Sequence, residues 1–183
     1  MNLTHQFLIA MPTLVDPNFE RTVVYICEHS DKGALGLVIN RSTELTLARL
    51  FDKIDLKLEI APWKDEPVYF GGPVQTERGF VLHSPTGHYS SSLTVADEIA
   101  LTTSKDVLEA VAGGSGPQRM LVTLGHSGWS EGQLESEIAQ NAWLTVAARA
   151  DIIFETPVEQ RFGAALKLLG IDPSQLSGMA GHA

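Results

Sequence analysis

Cys27 stands two residues before His29, at the end of the apolar run Thr22-Val23-Val24-Tyr25-Ile26-Cys27. A thiol beside an imidazole is the smallest unit of cysteine-based nucleophilic catalysis, because the ring can take the proton and leave the reactive thiolate. In an extended strand alternate residues share a face. Val23, Tyr25 and Cys27 therefore point one way and Val24, Ile26 and Glu28 the other, with His29 joining Cys27 if the strand runs that far. His83 is a second imidazole that the fold could bring to the thiol. The plainer reading of Cys27 is a small buried hydrophobe.

The segment Gly125-His126-Ser127-Gly128-Trp129 sits between a strand-like run and a helical pattern, where a serine hydrolase would place its nucleophile. That elbow, G-x-S-x-G, needs glycine two residues after the serine, and Trp129 occupies the place. The only histidine downstream is His182, so no acid-then-histidine order completes a triad. The segment reads as a tight strand-to-helix turn anchored by Trp129, and no residue is assigned a catalytic role.

Metal and nucleotide chemistry find little footing. His5, His29, His83, His88, His126 and His182 never stand at H-x-H or H-x-x-x-H spacing, and a single cysteine cannot supply a thiolate zinc site or a disulfide within the chain. Glu131 and Glu135 lie one helical turn apart, opposite the apolar stripe, and read as solvated. Gly71-Gly72-Pro73 and Gly113–Pro117 carry neither G-x-G-x-x-G nor GK[ST], so no metal and no cofactor is expected. The amides of Gly71 and Gly72 remain candidates for a small anion. The candidate ligand-binding residues are Cys27, Glu28, His29, Gly71, Gly72, His83 and Trp129. The expectation to check is whether Glu28, His29, His83 and Trp129 surround one cavity.

The elements that must position these residues follow from periodicity and turn chemistry. His5–Met11, Thr22–Cys27 and Ala34–Ile39 read as strands, with a hairpin at Ser30-Asp31-Lys32-Gly33 that uses Gly33 at positive φ. Leu47, Leu50, Phe51 and Ile54 have helical spacing, with Ser42 or Thr43 as cap. The polar stretch Asp55–Glu66 reads as a surface connection. Val68–Phe70, Gly79–His83, Leu93–Thr102, Met120–Leu124 and Ile152–Phe154 read as strands, and Ser104 caps a short helix burying Val107, Leu108 and Val111. Ser130 and Gln133 form a capping box for a helix with Leu134, Ile138 and Ala142 on its apolar stripe. Thr156, Pro157 and Glu159 open a last helix that faces Val158, Phe162, Ala165, Leu166 and Leu169 to the core and stops at Gly170. Strands cluster instead of alternating strictly with helices, which gives an α+β class with much antiparallel pairing.

Composition bounds the partners. With 44% hydrophobic and 19% charged residues over 183 positions, the chain has the means to build one packed domain. The net charge of −9 and the scattering of 13 basic residues speak against direct nucleic-acid binding, which draws on clustered Lys and Arg. Met1–Gln6 lacks Lys and Arg and Phe7–Met11 is a short apolar run, so this start reads as a strand, not a secretory signal. No apolar run approaches the roughly 20 residues that span a bilayer. The expected setting is soluble, reducing and cytoplasmic, with no membrane partner.

Taken together these segments resemble the YqgE/AlgH family of small bacterial proteins. The matching pieces, in order, are FLIAMP (Phe7–Pro12), DPNFERTVVYICEH (Asp16–His29), GALGLVIN (Gly33–Asn40), GGPV (Gly71–Val74), RGFVLH (Arg78–His83), TTSKDVLE (Thr102–Glu109), GQLESEIAQNAWL (Gly132–Leu144) and GHA (Gly181–Ala183). The resemblance implies one domain over residues 1–183, a compact α+β fold with a largely antiparallel, partly barrel-like sheet and flanking helices. In the family an aromatic followed by a small residue commonly stands where His126-Ser127 stand here, so the pattern requires no hydroxyl at Ser127. It implies no established activity; some members carry the label transcriptional regulator, and the chain shows no helix-turn-helix signature. The reading is a non-catalytic binding or regulatory module acting through an unknown protein or small-molecule ligand. The alternatives are an enzyme using Cys27 with His29 or His83, and a transcriptional regulator.

Overall fold

In the computed structural model, which describes residues 1–180, the first three apolar runs pair as antiparallel strands. They are β1 (Gln6–Ala10), β2 (Val23–Ser30) and β3 (Gly33–Val38). Gly33 closes the β2–β3 hairpin at φ 137°, and a Cβ there would lie 2.3 Å from the Trp129 carbonyl oxygen. The chain continues through β4 (Ser42–Thr46), α1 (Leu47–Lys53), the single turn α2 (Ala61–Lys64), β5 (Pro67–Phe70) and β6 (Val74–Ser84). Next come β7 (Ser92–Ala96), β8 (Ile99–Thr102), α3 (Asp106–Ala112), β9 (Arg119–Ser130) and α4 (Gln133–Ala139). The last elements are β10 (Trp143–Ala147), α5 (Ala150–Phe154), a 3-10 turn at Val158–Gln160, α6 (Arg161–Lys167) and α7 (Pro173–Ala180).

The strands form one curled sheet in the order β10-β1-β2-β3-β9-β6-β8-β7, with β5 added to β9 and β4 to β5. Of these pairings only β5 with β9 is parallel. Three apolar cores result. The inner one joins Phe7, Tyr25, Leu37, Leu82 and Leu121 to Ile153, Phe162 and Leu166 of the C-terminal helices. The second packs Leu8, Val24, Ile26 and Trp129 against Leu134 and Trp143, and the third packs α1 and α3 on Val81 and Val122. β2 feeds the first two cores at once, which is why its sequence is apolar on both faces. Each large side chain fully buried this way contributes about 1.5–3 kcal/mol.

Several elements differ from the sequence expectation. Residues 42–46 are a strand, and the helix cap is Thr46, whose hydroxyl accepts from the Arg49 amide at 3.3 Å; Ser42 and Thr43 do not cap. The stretch 55–66 holds the helical turn α2. Residues 152–154 lie in a helix, α5, not a strand. α4 stops at Ala139 because Asn141 takes φ 61°, which releases Trp143–Ala147 to pair with β1 as β10. α6 opens through the 3-10 turn without a side-chain cap, since the Thr156 hydroxyl donates to the Asp151 carbonyl. Ser104 likewise caps no backbone amide of its own helix; its hydroxyl donates to Asp106 Oδ1. Among the described residues no helix is long and apolar enough to cross a membrane.

The most consequential difference concerns residues 125–130. They form no strand-to-helix turn but the second half of β9, a strand of 12 residues. Gly125, at φ 78°, bends it. Before the bend β9 pairs with β5 and β6, and after it Gly128, Trp129 and Ser130 pair with Leu35, Ala34 and Gly33 of β3. The glycine lets one strand serve two parts of a curled sheet.

Candidate functional site

β2 decides the fate of Cys27. Ile26 pairs with Gly36 and Glu28 with Leu35, so Cys27 is the extra residue of a β-bulge. Cys27 keeps the inner face of Val23 and Tyr25, and the bulge inverts the alternation beyond it: Glu28 is exposed and His29 turns to the opposite face. Cys27 is 1% exposed and its Sγ lies 3.8 Å from the Tyr25 carbonyl. Burial, aided by the Glu28 charge, pushes the thiol well above its ordinary value. His83 is separated from it by β3 and β9. Among the described residues Cys27 Sγ has no imidazole partner, so the Cys27–His29 and Cys27–His83 pairs that the sequence offered are not formed. In native protein Cys27 is expected to resist a thiol-labelling disulfide reagent at pH 8 for hours and to react at once in denaturant; prompt native labelling would contradict this burial.

His29 and Trp129 do come together, in one cross-strand row through Ala34. α4 covers them. The Leu3 amide donates to His29 Nδ1 at 2.9 Å, which fixes the Nε2–H tautomer, and Nε2 donates to Glu135 at 3.1 Å. Glu137 Oε1 accepts from both indoles, Trp129 at 3.1 Å and Trp143 at 2.9 Å. Glu135 thus has a structural partner where the sequence suggested only solvent. The capping box is half made: Gln133 Oε1 accepts from the Ser130 amide at 2.9 Å, and Gly132 holds the cap position at φ 73°.

His83 heads a separate chain of hydrogen bonds. Its Nδ1–H donates to the Pro85 carbonyl at 3.0 Å, so Nε2 accepts from the Thr102 hydroxyl at 2.7 Å, which in turn accepts from Ser92 at 2.7 Å. Burial lowers its pKa from 6.5, with the Pro85 bond opposing. Burial likewise lowers His5 and His126. The unfolded chain therefore binds more protons than the folded one as pH falls below about 6.5. Folding stability is expected to be fully present well above that pH and to decline as pH falls through about 6.5, as read by urea denaturation. His83→Gln should shrink the difference, and a flat profile in the parent chain would refute the linkage.

Gly71 and Gly72 are buried against β9 and offer no open anion nest. The Gly71 amide donates to Leu124 and its carbonyl accepts from Val38 N–H and from the Ser127 hydroxyl. Ser127, 0% exposed, is thereby spent on the scaffold. The seven residues singled out in the sequence do not share a cavity.

A cleft of about 310 Å³ lies elsewhere, between α1, α2, the start of β9 and α5. Leu47, Pro62, Trp63, Tyr69, Met120, Val122, Ile153 and Phe154 give it apolar walls, and Arg119 and Arg161 supply its cations. Arg161, only 6% exposed, is held by its Nε–H to the Thr156 carbonyl at 2.9 Å and its Nη1–H to the Ile39 carbonyl, with the guanidinium over the Tyr69 ring at 5.1 Å. Among the described residues no carboxylate lies within ion-pair distance of it. Burying an unpaired guanidinium is costly, and here two carbonyl dipoles and a π face offset part of that cost. Two of its five N–H groups are engaged by these bonds, leaving three. Arg119 packs on Phe154 at 5.4 Å and reaches Glu155 at 3.6 Å. Glu66, exposed, also lines the cleft and pairs with neither arginine among the described residues. Sequence reasoning missed Arg161 because it placed no weight on a charge at the start of a helix whose neighbours Phe162, Ala165 and Leu166 are core residues. A cation inside that apolar stripe was the available signal.

A family model described as AlgH-like matches residues 7–174. A UPF0301 protein of Ralstonia nicotianae is 67% identical over 183 residues, covering 100% of this chain and 96% of the relative. One from Bordetella petrii is 67% identical, covering 100% and 90%. The solution structure of the AlgH protein from Pseudomonas aeruginosa superposes with a TM-score of 0.82 at 49% identity, covering 100% of this chain and 97% of that one. A protein of Corynebacterium diphtheriae, 19% identical with a TM-score of 0.71 over 90% of this chain and 86% of its own, shares the fold.

Proposed function

We propose that this chain, which belongs to the AlgH-like family, is a non-catalytic binding module whose ligand enters the Arg161 cleft. The observation that carries the reading is a division of labour among its polar groups. The candidate nucleophiles and bases singled out in the sequence are closed into the scaffold: Cys27 in the core, His29 between Leu3 and Glu135, His83 between Pro85 and Thr102, Ser127 on Gly71. Arg161, by contrast, keeps free donors on a buried guanidinium in a cleft, a group that recognises but does not transform. A regulatory role then runs through occupancy of that cleft and a protein partner. Direct DNA contact is not part of the reading, since a net charge of −9 opposes it.

The test is incubation of purified chain with a cell metabolite extract, followed by recovery of the protein and mass spectrometry of both fractions. Retention of a small molecule with no change in the composition of the rest is the expected result. Retention of nothing, or time-dependent conversion of a component that His83→Ala abolishes, sinks the reading.

A further inference from the structure

We infer that the cleft takes a small organic anion, a carboxylate or phosphate head on an apolar or aromatic body. This deepens the binding reading above and rests on it. Three observations define the ligand. The head is set by Arg161, whose remaining N–H groups form a planar fork suited to two oxygens of one anion. Two backbone carbonyls at its back fix the guanidinium, so little rotamer freedom is lost on binding. The body is set by the half-buried rings of Trp63 and Phe154, which offer aromatic surface, with the edge of Met120 beside them. The size is set by a volume of about 310 Å³, near the lower end for small-molecule sites. Arg119, partly exposed and only loosely tied to Glu155, adds a second cation that can turn to the same head.

Charge also selects against bulk polyanions. A chain of net charge −9 repels them at long range, while a monoanion that enters the cleft meets two arginines, with the exposed Glu66 on the lining and Glu155 on Arg119 as the acids beside them.

The experiment uses the full chain and four probes: benzoate, phenyl phosphate, neutral benzamide and inorganic phosphate. Binding is followed by amide and indole NMR shifts and by Trp63 fluorescence, with Trp63→Phe removing the optical signal. Benzoate or phenyl phosphate is expected to shift Trp63, Ile153 and Phe154. Benzamide and inorganic phosphate should bind about tenfold or more weaker, each lacking one half of the recognition. Arg161→Lys keeps the charge but loses the fork and should weaken the aromatic anions about tenfold. Should that variant not fold, Arg119→Gln serves instead and should weaken them several-fold.

Equal binding of benzamide and benzoate overturns the anionic head but leaves a binding cleft. Equal binding of inorganic phosphate and phenyl phosphate overturns the apolar body. Shifts that fall in the groove of Met11, Leu14, Phe162 and Leu176, or no shift with any probe at saturating millimolar concentration, overturn the site. A failure here with small molecules still retained from extract sinks only the ligand class; failure of both sinks the binding reading as well.

Discussion

Replacing Gly72 with alanine is expected to lower folding stability by about 3–5 kcal/mol, enough to leave much of the chain unfolded. Two penalties act together. The residue sits at φ 150°, a conformation L side chains rarely adopt. Its Cβ would also lie 2.3 Å from the carbonyl carbon and oxygen of His126 and 2.5 Å from the Ser127 nitrogen. Those atoms belong to β9, which is held by β3, β5 and β6 and cannot step aside without loosening all three. Gly125 completes the contact from the other side, its own Cβ position lying 2.3 Å from the Gly72 oxygen. Gly79→Ala is the control, since a Cβ there meets nothing within 4 Å; it should change stability by less than about 0.5 kcal/mol. Chemical denaturation of the two variants side by side is the measurement, and equal midpoints would refute the close approach.

Glu137→Ala should cost about 2–4 kcal/mol, because it strips the common acceptor from two indoles at once. Trp129 and Trp143 are 6% and 2% exposed, and their N–H groups have this carboxylate as their bonded acceptor. Gln133 donates to its other oxygen at 2.9 Å, so the carboxylate is itself oriented. Glu137→Gln keeps a carbonyl oxygen for the indoles and should cost less than half as much. Denaturant midpoints together with the tryptophan emission maximum check this. An alanine variant as stable as the glutamine one would mean the indoles find other acceptors.

What the sequence revealed and what it hid divide along a physical line. Local chemistry was legible: Gly33 at the hairpin, the two faces of β2, the core positions Leu134 and Phe162, and the α+β class with an antiparallel sheet. Where local preference competed with distant pairing, it misled. Residues 143–147 follow an amphipathic helix whose stripe extends to Ala142 and carry no strand signal of their own, yet β1 claims them as a strand partner. Residues 125–130 carry two glycines before a helix, which suggests a turn, yet β3 waits to pair with them. Ile152–Phe154 is β-branched and aromatic, but it packs in the inner core as a helix.

The candidate site was hidden for a related reason. A single bulged residue turned His29 away from Cys27, and no periodicity argument sees a bulge in advance. The Arg161 cleft draws on residues from 47 to 161, so no window of sequence contains it. The family resemblance was legible because it lives in short ordered motifs, and the AlgH-like match over residues 7–174 agrees with it.

Arg161 donates to a carbonyl 122 residues earlier in the chain, and β10 closes onto β1 from farther still. During synthesis from the N-terminus, the strands of the first half emerge long before the segments that finish their edge and seat their cation. The early sheet must therefore wait on the ribosome with an open border beside β1, exposed to other chains and to folding helpers. Contacts of such long sequence separation also make the final docking slow relative to helix formation. A chain stopped just short of residue 161 would hold all ten strands without the Arg161 guanidinium, so the proposed cleft is complete only once that residue has emerged.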